Sequence, residues 1–128
     1  MLTEEIMTDV VASVGQLEAE LGHPFNRFCD TAGVDQIAVN YDYVISVSLY
    51  RRFAYADRPP IKSAILAIDP TLVHVAQVHR LITQDSSIEV RVFADDRPAI
   101  AQWLGVPLNL LAAEPRRADM ADESRSTP

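Results

Sequence analysis

Residues 61–69 read IKSAILAID, with five consecutive apolar residues between the prolines at 59–60 and the segment Asp69-Pro70-Thr71. A short apolar run with turn signals on both sides predicts a strand that is buried on both faces. Such strands are typical of parallel sheets that are covered by helices. Asp69 and Pro70 also predict a helix start, because aspartate caps a helix and proline suits its first position. We therefore expect an α/β domain organised around this strand.

The composition places the chain among ordinary globular proteins. It has 128 residues, a net charge of −7 and one cysteine, Cys29. This length fits one domain, and a single cysteine excludes an internal disulfide and a cysteine-rich zinc site. The first residues are acidic, unlike a secretory signal, and no apolar run reaches the roughly 18 residues of a membrane span. We predict a cytoplasmic protein with no membrane span.

Apolar spacing predicts the remaining elements. Residues 3–21 fit an amphipathic helix with Thr3 as its cap, and two further strands are expected at 25–30 and 88–93. Residues 39–56 fit both a strand and a helix, but parallel strands need a crossover, so we predict a helix there. Helices are also expected at 71–84 and, stopped by Gly105, after Asp95-Asp96.

Together these elements predict a small, mainly parallel three-stranded sheet with helices on both faces. Residues 1–111 form one α/β domain in this interpretation. Residues 112–128 lack an apolar period, and we expect a disordered C-terminal tail.

Several blocks of the sequence resemble a known family. They read FNRFCD at 25–30, RR at 51–52, KSAILA at 62–67, IEVRVF at 88–93 and AQWLGVP at 101–107. These blocks resemble the bacterial SpoIIAA-like proteins, which have a STAS/SEC14-type fold. The resemblance extends from about residue 2 to residue 111 and implies a non-catalytic binding or regulatory module. In that family, STAS relatives act as regulatory protein partners and SEC14-type relatives bind lipids.

Two features depart from the family pattern. Residues 38–41 read AVNY, where the related antagonists have a serine whose phosphorylation switches partner binding. The strand pair that usually precedes the first helix is also missing. The unpaired sheet edges that would result invite a partner, and we predict a homodimer.

Acidic residues follow each predicted strand of the sheet. Asp30, Asp69 and Asp95 fall at the carboxyl ends of the strands, where open α/β sheets bind ligands and where carboxylates can hold Mg²⁺. Helix caps and a turn explain the same three residues. We therefore predict no metal, no cofactor and no catalytic residue, and keep the three acids as candidate binding residues.

The positive charges are concentrated at Arg51, Arg52, Arg58 and Lys62, whereas residues 1–24 carry five acids and no lysine or arginine. This pattern argues against nucleic-acid binding, which needs clustered cations. Arg51, Arg52 and Lys62 are further candidate binding residues for a small anionic or lipid ligand, or for the acidic first helix of a second copy. A solvated helix end also explains them.

Two other residue types could carry chemistry. His74 and His79 are five residues apart on one predicted helix, so they cannot bind one metal ion as an i, i+4 pair can. His79 falls in the apolar face, and we expect it to be partly buried and hydrogen-bonded. Cys29 lies beside Phe28 in a predicted strand, and we expect it in the core.

Two functions are consistent with these observations. The first is a binding or regulatory module of the STAS/SpoIIAA-like type that acts through protein–protein interaction. The second is a small metal-dependent enzyme, or an anion- or lipid-binding protein, that uses the carboxylates at the strand ends. We predict the first and no enzymatic activity, because the sequence shows no nucleophile–base set and no glycine-rich phosphate loop.

Overall fold

The computed structural model describes residues 1–111, and the chain divides into two compact units, Met1–Asp96 and Arg97–Pro128. The tail predicted at 112–128 lies outside the described residues, and the single domain over residues 1–111 stays a prediction. The first unit contains, in order, β1 (Leu2–Thr3), α1 (Glu4–Leu21), β2 (Arg27–Asp30), β3 (Ile37–Ala38), α2 (Tyr41–Ala54), β4 (Ile61–Leu66), α3 (Pro70–Ile82) and β5 (Ile88–Phe93).

The strand at 61–66 is central in a parallel sheet, as predicted. The strand order is β2-β4-β5, and β4 pairs in parallel with both neighbours. The steps from β2 to β4 and from β4 to β5 run in the same direction, so right-handed crossovers place α2 and α3 on one face of the sheet. The two helices contact each other there. The α/β class and the parallel sheet are thus confirmed, whereas the STAS-like fold and helices on both sheet faces stay predictions.

The core of this unit lies between the crossover helices and the sheet. Ile61, Ile88 and Val90 form a buried cluster with Tyr55, the residue that ends α2. The sheet alternates its side chains, so Leu66 belongs to the opposite face, where it is also fully buried. The central strand is therefore buried on both sides.

Residues 39–56, whose apolar spacing fits both a strand and a helix, form the helix α2, as predicted. Asn40 caps α2, because its Oδ1 accepts a hydrogen bond from the Tyr43 N–H at 2.9 Å. Thr3 caps α1 in the same way, with its Oγ1 3.2 Å from the Ile6 nitrogen. Gly22 ends α1 with a φ of 82°, a left-handed conformation that glycine adopts without strain.

A second, two-stranded sheet is absent from the sequence-based prediction. β1 pairs in parallel with β3, and the Leu2 N–H donates to the Gln36 carbonyl at 2.9 Å. Each strand has two residues, which is too short for an alternating pattern. A short strand, β1, therefore precedes the first helix and pairs with β3, which lies between β2 and α2 in the chain.

One expectation about burial is wrong. Cys29 is exposed rather than in the core, because β2 lies at an edge of the described sheet. The apolar face of α1 is only partly covered, since Val10, Leu17 and Leu21 keep 50, 50 and 57% of their surface exposed. An amphipathic pattern thus identified the helix without showing how much of its apolar face would be buried.

The second unit begins with α4 (Arg97–Leu104), which is followed by a 3-10 helix at Leu108–Leu111. Gly105 follows α4 with a φ of 74°, and its N–H donates to the Ala101 carbonyl at 2.9 Å. The Arg97 guanidinium reaches the Leu111 carbonyl at 2.7 Å. No helix among residues 1–111 is long and apolar enough to cross a membrane, and the cytoplasmic location stays a prediction.

Truncation of Leu66 tests the central position of β4. Leu66→Ala should lower the free energy of unfolding by about 2–5 kcal/mol, because a fully buried site cannot collapse around the lost methyl groups. Ile68→Ala is the matched control, since Ile68 is 50% exposed and should cost much less. Urea denaturation measures both, and equal losses in the two variants would contradict the assignment.

Candidate functional site

A buried carboxylate joins the first helix to the sheet. Glu18 is the one buried residue of α1, at 4% exposure. It accepts a hydrogen bond from the Arg27 Nη2 of β2 at 2.7 Å and another from the Tyr55 hydroxyl. Burial raises the pKa of Tyr55, and its hydrogen bond to Glu18 raises it further, so the phenol remains the donor at neutral pH. This network ties α1, β2 and the end of α2 together.

Arg27 is incompletely satisfied in this position. Its guanidinium stacks over the Phe25 and Tyr55 rings, with distances of 5.3 and 5.4 Å to the ring centroids. Its Nε and Nη1 atoms are buried without a hydrogen-bond partner in the described part of the chain. Arg27 thus uses only Nη2 for hydrogen bonds within residues 1–111, and its Nε and Nη1 are closed to solvent.

A cleft of about 230 Å³ opens beside this network, between α1 and the end of α2. Glu18 and Tyr55 line it together with Arg51 and Arg58. The Arg58 guanidinium lies 5.6 Å from the centroid of the Tyr55 ring. We call this space the arginine cleft. Tyr50 forms part of its wall and keeps 62% of its surface exposed.

Arg51 is a partly buried charge in the arginine cleft. Burial lowers the pKa of its guanidinium and the positive charge of Arg27 lowers it further, while Tyr55 and Glu18 offset part of this shift. Within residues 1–111 its side chain has no hydrogen bond and no ion pair. Arg51 and Arg58 line the same cleft as Glu18, whose carboxylate is already paired with Arg27. A partly desolvated cation without a counter-ion is unfavourable, so the cleft is suited to an anion.

The structure separates the basic residues that the sequence grouped. Arg51 and Arg58 line the arginine cleft, but the Arg52 Nη1 donates to the Ile82 and Gln84 carbonyls at 3.1 and 2.6 Å. Arg52 thereby holds the C-terminal end of α3. Lys62 lies on β4 as the register partner of Glu89 on β5. The periodicity of α2 accounts for the division, since adjacent residues on a helix point about 100° apart.

Two of the three candidate acids at the strand ends form backbone hydrogen bonds within the fold. The Asp69 Oδ2 accepts from the Thr71 and Leu72 N–H groups at 3.0 and 3.3 Å, so Asp69 caps α3 as predicted. The Asp30 Oδ1 accepts from the Ala32 N–H at 2.9 Å in the turn after β2. Asp95 is exposed between β5 and α4. Among residues 1–111 no group of three or more His, Cys, Asp and Glu side chains is placed to hold a metal ion.

A serine and a histidine also meet, on the contact between α2 and α3. The Ser48 hydroxyl donates to the Val44 carbonyl at 2.8 Å and lies 2.7 Å from the His79 Nδ1. Because the single hydroxyl proton is used within α2, His79 donates to Ser48. Ser48 is fully buried, so no substrate reaches it. The expectation of a partly buried, hydrogen-bonded His79 is confirmed, and the pair packs two helices together.

Sequence reasoning missed Glu18, Arg27 and Tyr55. A signal was present for Glu18, because it lies four residues after Val14 and seven after Val11, within the apolar face of α1. An acid at such a position indicates a buried partner. Arg27 lies in a short strand with no periodic signal. Its contact with Tyr55 is between residues that are 28 positions apart in the sequence, so no local pattern predicts it.

Comparisons with protein-family models, with curated proteins and with solved structures found no match. The SpoIIAA-like resemblance therefore stays a prediction.

The cap at Asp69 can be separated from metal binding by mutation. Asp69→Ala should lower the free energy of unfolding by about 1 kcal/mol, because two N–H groups at the start of α3 lose their acceptor. Asp69→Ser should retain most of the stability, since serine also caps helices. Calorimetric titration with Mg²⁺ should show no saturable binding in either the parent or the variants. Saturable binding that Asp69→Ala abolishes would favour a metal site instead.

Protonation of His79 should destabilise the fold in acid. Burial lowers the pKa of His79 from 6.5 to about 4, with smaller contributions from Arg51 and Arg27. The unfolded chain therefore takes up a proton that the folded chain refuses, so stability falls as the pH decreases from about 6.5 to 4. The His79 contribution to this loss is on the order of 2–3 kcal/mol. Urea denaturation at pH 7 and pH 4.5 should show a smaller difference in His79→Asn than in the parent. His74→Asn, an exposed position on the same helix, should leave the difference unchanged.

Proposed function

We propose that the chain is a non-catalytic binding module of the SpoIIAA-like type, which recognises a protein partner and holds an acidic group of that partner in the arginine cleft. The observation that carries the proposal is Arg51, a partly buried guanidinium with no partner among residues 1–111. A carboxylate or phosphate forms short, charge-assisted hydrogen bonds with such a group. The positive charges of Arg58 and Arg27, both of which lie against the Tyr55 ring, add to the positive potential there.

The outer face of α2 supports a protein as the partner. Ile45, Leu49 and Phe53 follow one another at four-residue spacing and keep 39, 40 and 71% of their surface exposed. Tyr50, which belongs to the wall of the cleft, continues this apolar surface. Exposed apolar surface next to an arginine and a tyrosine is typical of the residues that dominate protein–protein interfaces. The partner that fits is a protein segment with an apolar face and an aspartate, glutamate or phosphorylated residue.

The roles of the other polar groups favour binding over catalysis. Asp69 and Asp30 accept backbone hydrogen bonds at a helix start and in a turn. The serine closest to a histidine is enclosed in a helix contact. These groups stabilise the fold through their hydrogen bonds, whereas the Arg51 side chain in the cleft makes no hydrogen bond among residues 1–111. The resemblance to regulatory STAS relatives agrees with this assignment.

Inorganic phosphate is a direct probe of the arginine cleft. Thermal melts of the parent protein should show stabilisation by phosphate at constant ionic strength, by about 1.4 kcal/mol at ten times the dissociation constant. Arg51→Met retains the aliphatic stem and removes the charge, so it should lose this response while the fold is as stable as before or more so. Arg52→Met is the matched control, and it should lose intrinsic stability at the end of α3 yet keep the phosphate response.

Two outcomes would overturn the proposal. One is an equal phosphate response in Arg51→Met and the parent, which would place the anion elsewhere. The other is no response to phosphate or to N-acetylglutamate together with Arg51-dependent sedimentation on phosphatidylserine vesicles, which would identify a lipid surface instead of a protein.

A further inference from the structure

The strand β5 forms an edge of the three-stranded sheet within the described residues. Its bonds to β4 use every second residue, since the Ser87 carbonyl accepts from the Ile61 N–H at 2.9 Å and the Phe93 carbonyl from the Ala67 N–H at 3.0 Å. The N–H and C=O of one strand residue point to the same side. The alternate residues of β5 therefore direct their backbone groups away from the sheet; they are Ile88, Val90 and Val92.

The outward backbone groups of these three residues differ in their hydrogen-bond partners. The Ile88 N–H donates to the Ser86 Oγ at 3.2 Å, and the Ser86 hydroxyl donates to the Thr83 carbonyl at 2.6 Å while lying 3.3 Å from the Ile88 carbonyl. Val90 and Val92 have no outward partner among residues 1–111. A groove of about 790 Å³ runs along this edge between β5 and α3, and Val90, Val92 and Arg80 are among its lining residues. Ile88 and Val90 keep 2 and 7% of their surface exposed and Val92 is half-buried, so their side chains are covered, but all three residues line the groove.

β5 lacks the proline and the bulge that often protect an edge strand. The strand has six residues, no proline and no break in its alternation. Natural edge strands are commonly blocked by a proline, a bulge or an inward-pointing charge. The charges of β5 are exposed Glu89 and Arg91, which have opposite sign and lie on either side of Val90. An edge with this arrangement is complementary to itself.

An antiparallel pair of β5 strands can form around a two-fold axis at Val90. This register places Val90 opposite Val90, Glu89 opposite Arg91, and Ile88 opposite Val92. Opposite charges then face each other twice, and residues with outward backbone groups face each other. A shift of the axis to Glu89 or Arg91 would place that charge opposite its own copy. The charge pattern therefore selects one register.

We propose that two copies of the chain pair through β5 in this register and form a continuous six-stranded sheet. A second copy is the occupant because the edge carries its own charge complement. The hydroxyl of Ser86 releases the Ile88 backbone as the Val92 of the second copy replaces it. The interface involves β5 and α3, so it does not depend on anion binding in the arginine cleft.

Charge reversal at the two exposed positions tests the dimer and its register together. The 14.2 kDa chain should behave as a dimer of twice that mass in analytical ultracentrifugation. Glu89→Arg places arginine opposite Arg91 twice, and Arg91→Glu places glutamate opposite Glu89 twice. Each variant alone should dimerise at least tenfold more weakly than the parent.

An equimolar mixture of the two variants provides the decisive control. In the mixed dimer one strand carries arginine at both positions and the other carries glutamate at both. Each arginine then faces a glutamate across the two-fold axis, so the mixture should recover the dimer mass that each variant has lost.

Arg91 also has an interaction within its own chain, so Arg91→Glu alone could prevent folding. The double variant Glu89→Arg/Arg91→Glu then replaces it in the test. Because this double variant again places opposite charges opposite each other, it should dimerise as the parent does. A parent that is still monomeric at about 100 µM, where mass action favours association, would overturn the proposal. So would single variants that dimerise as tightly as the parent, since the contact would then lie on another surface.

Discussion

The ion pair between Glu18 and Arg27 holds the first helix against the sheet. It is buried, and both its charges come from elements that otherwise share few contacts, α1 and β2. Taking a carboxylate and a guanidinium out of water is costly, and removal of one partner typically destabilises a fold by about 3–5 kcal/mol. The Tyr55 hydroxyl completes the network and connects it to the cluster of Ile61, Ile88 and Val90. The polar network and the hydrophobic core therefore stabilise the same part of the molecule.

The same network explains why the arginine cleft has an excess of positive charge. Glu18 bonds to Arg27 and Tyr55, so its charge offsets that of Arg51 only in part and without a direct ion pair. Burial of Arg51 near a second guanidinium is unfavourable in the unliganded chain, as the lowered pKa of Arg51 indicates. A binding site that carries such a cost gains affinity when an anion enters, because the anion relieves the repulsion as it forms hydrogen bonds.

Uncovered apolar and backbone surface lies at three places on the first unit. The stripe on α1, the outer face of α2 and the edge of β5 each leave groups uncovered that a larger protein would bury. The three surfaces differ chemically: α2 offers apolar side chains beside a cation, and β5 offers backbone hydrogen bonds with a charge pattern. The self-pairing proposed for β5 and the protein contact proposed for α2 therefore use different surfaces.

Local sequence patterns were sufficient to predict the three-stranded sheet and its central strand, whereas the meeting of distant charges was not predictable from them. The apolar run at 64–68, the Asp69-Pro70 cap and the alternation at 88–92 depend on periodicity and capping, which act between neighbours in the chain. The same rules failed for β1 and β3, because a pair of two-residue strands carries no period. Glu18 and Tyr55 converge from positions 37 residues apart, and no local pattern encodes such a contact. Periodicity determines which residues share a helix face, but the path of the whole chain determines what packs against that face.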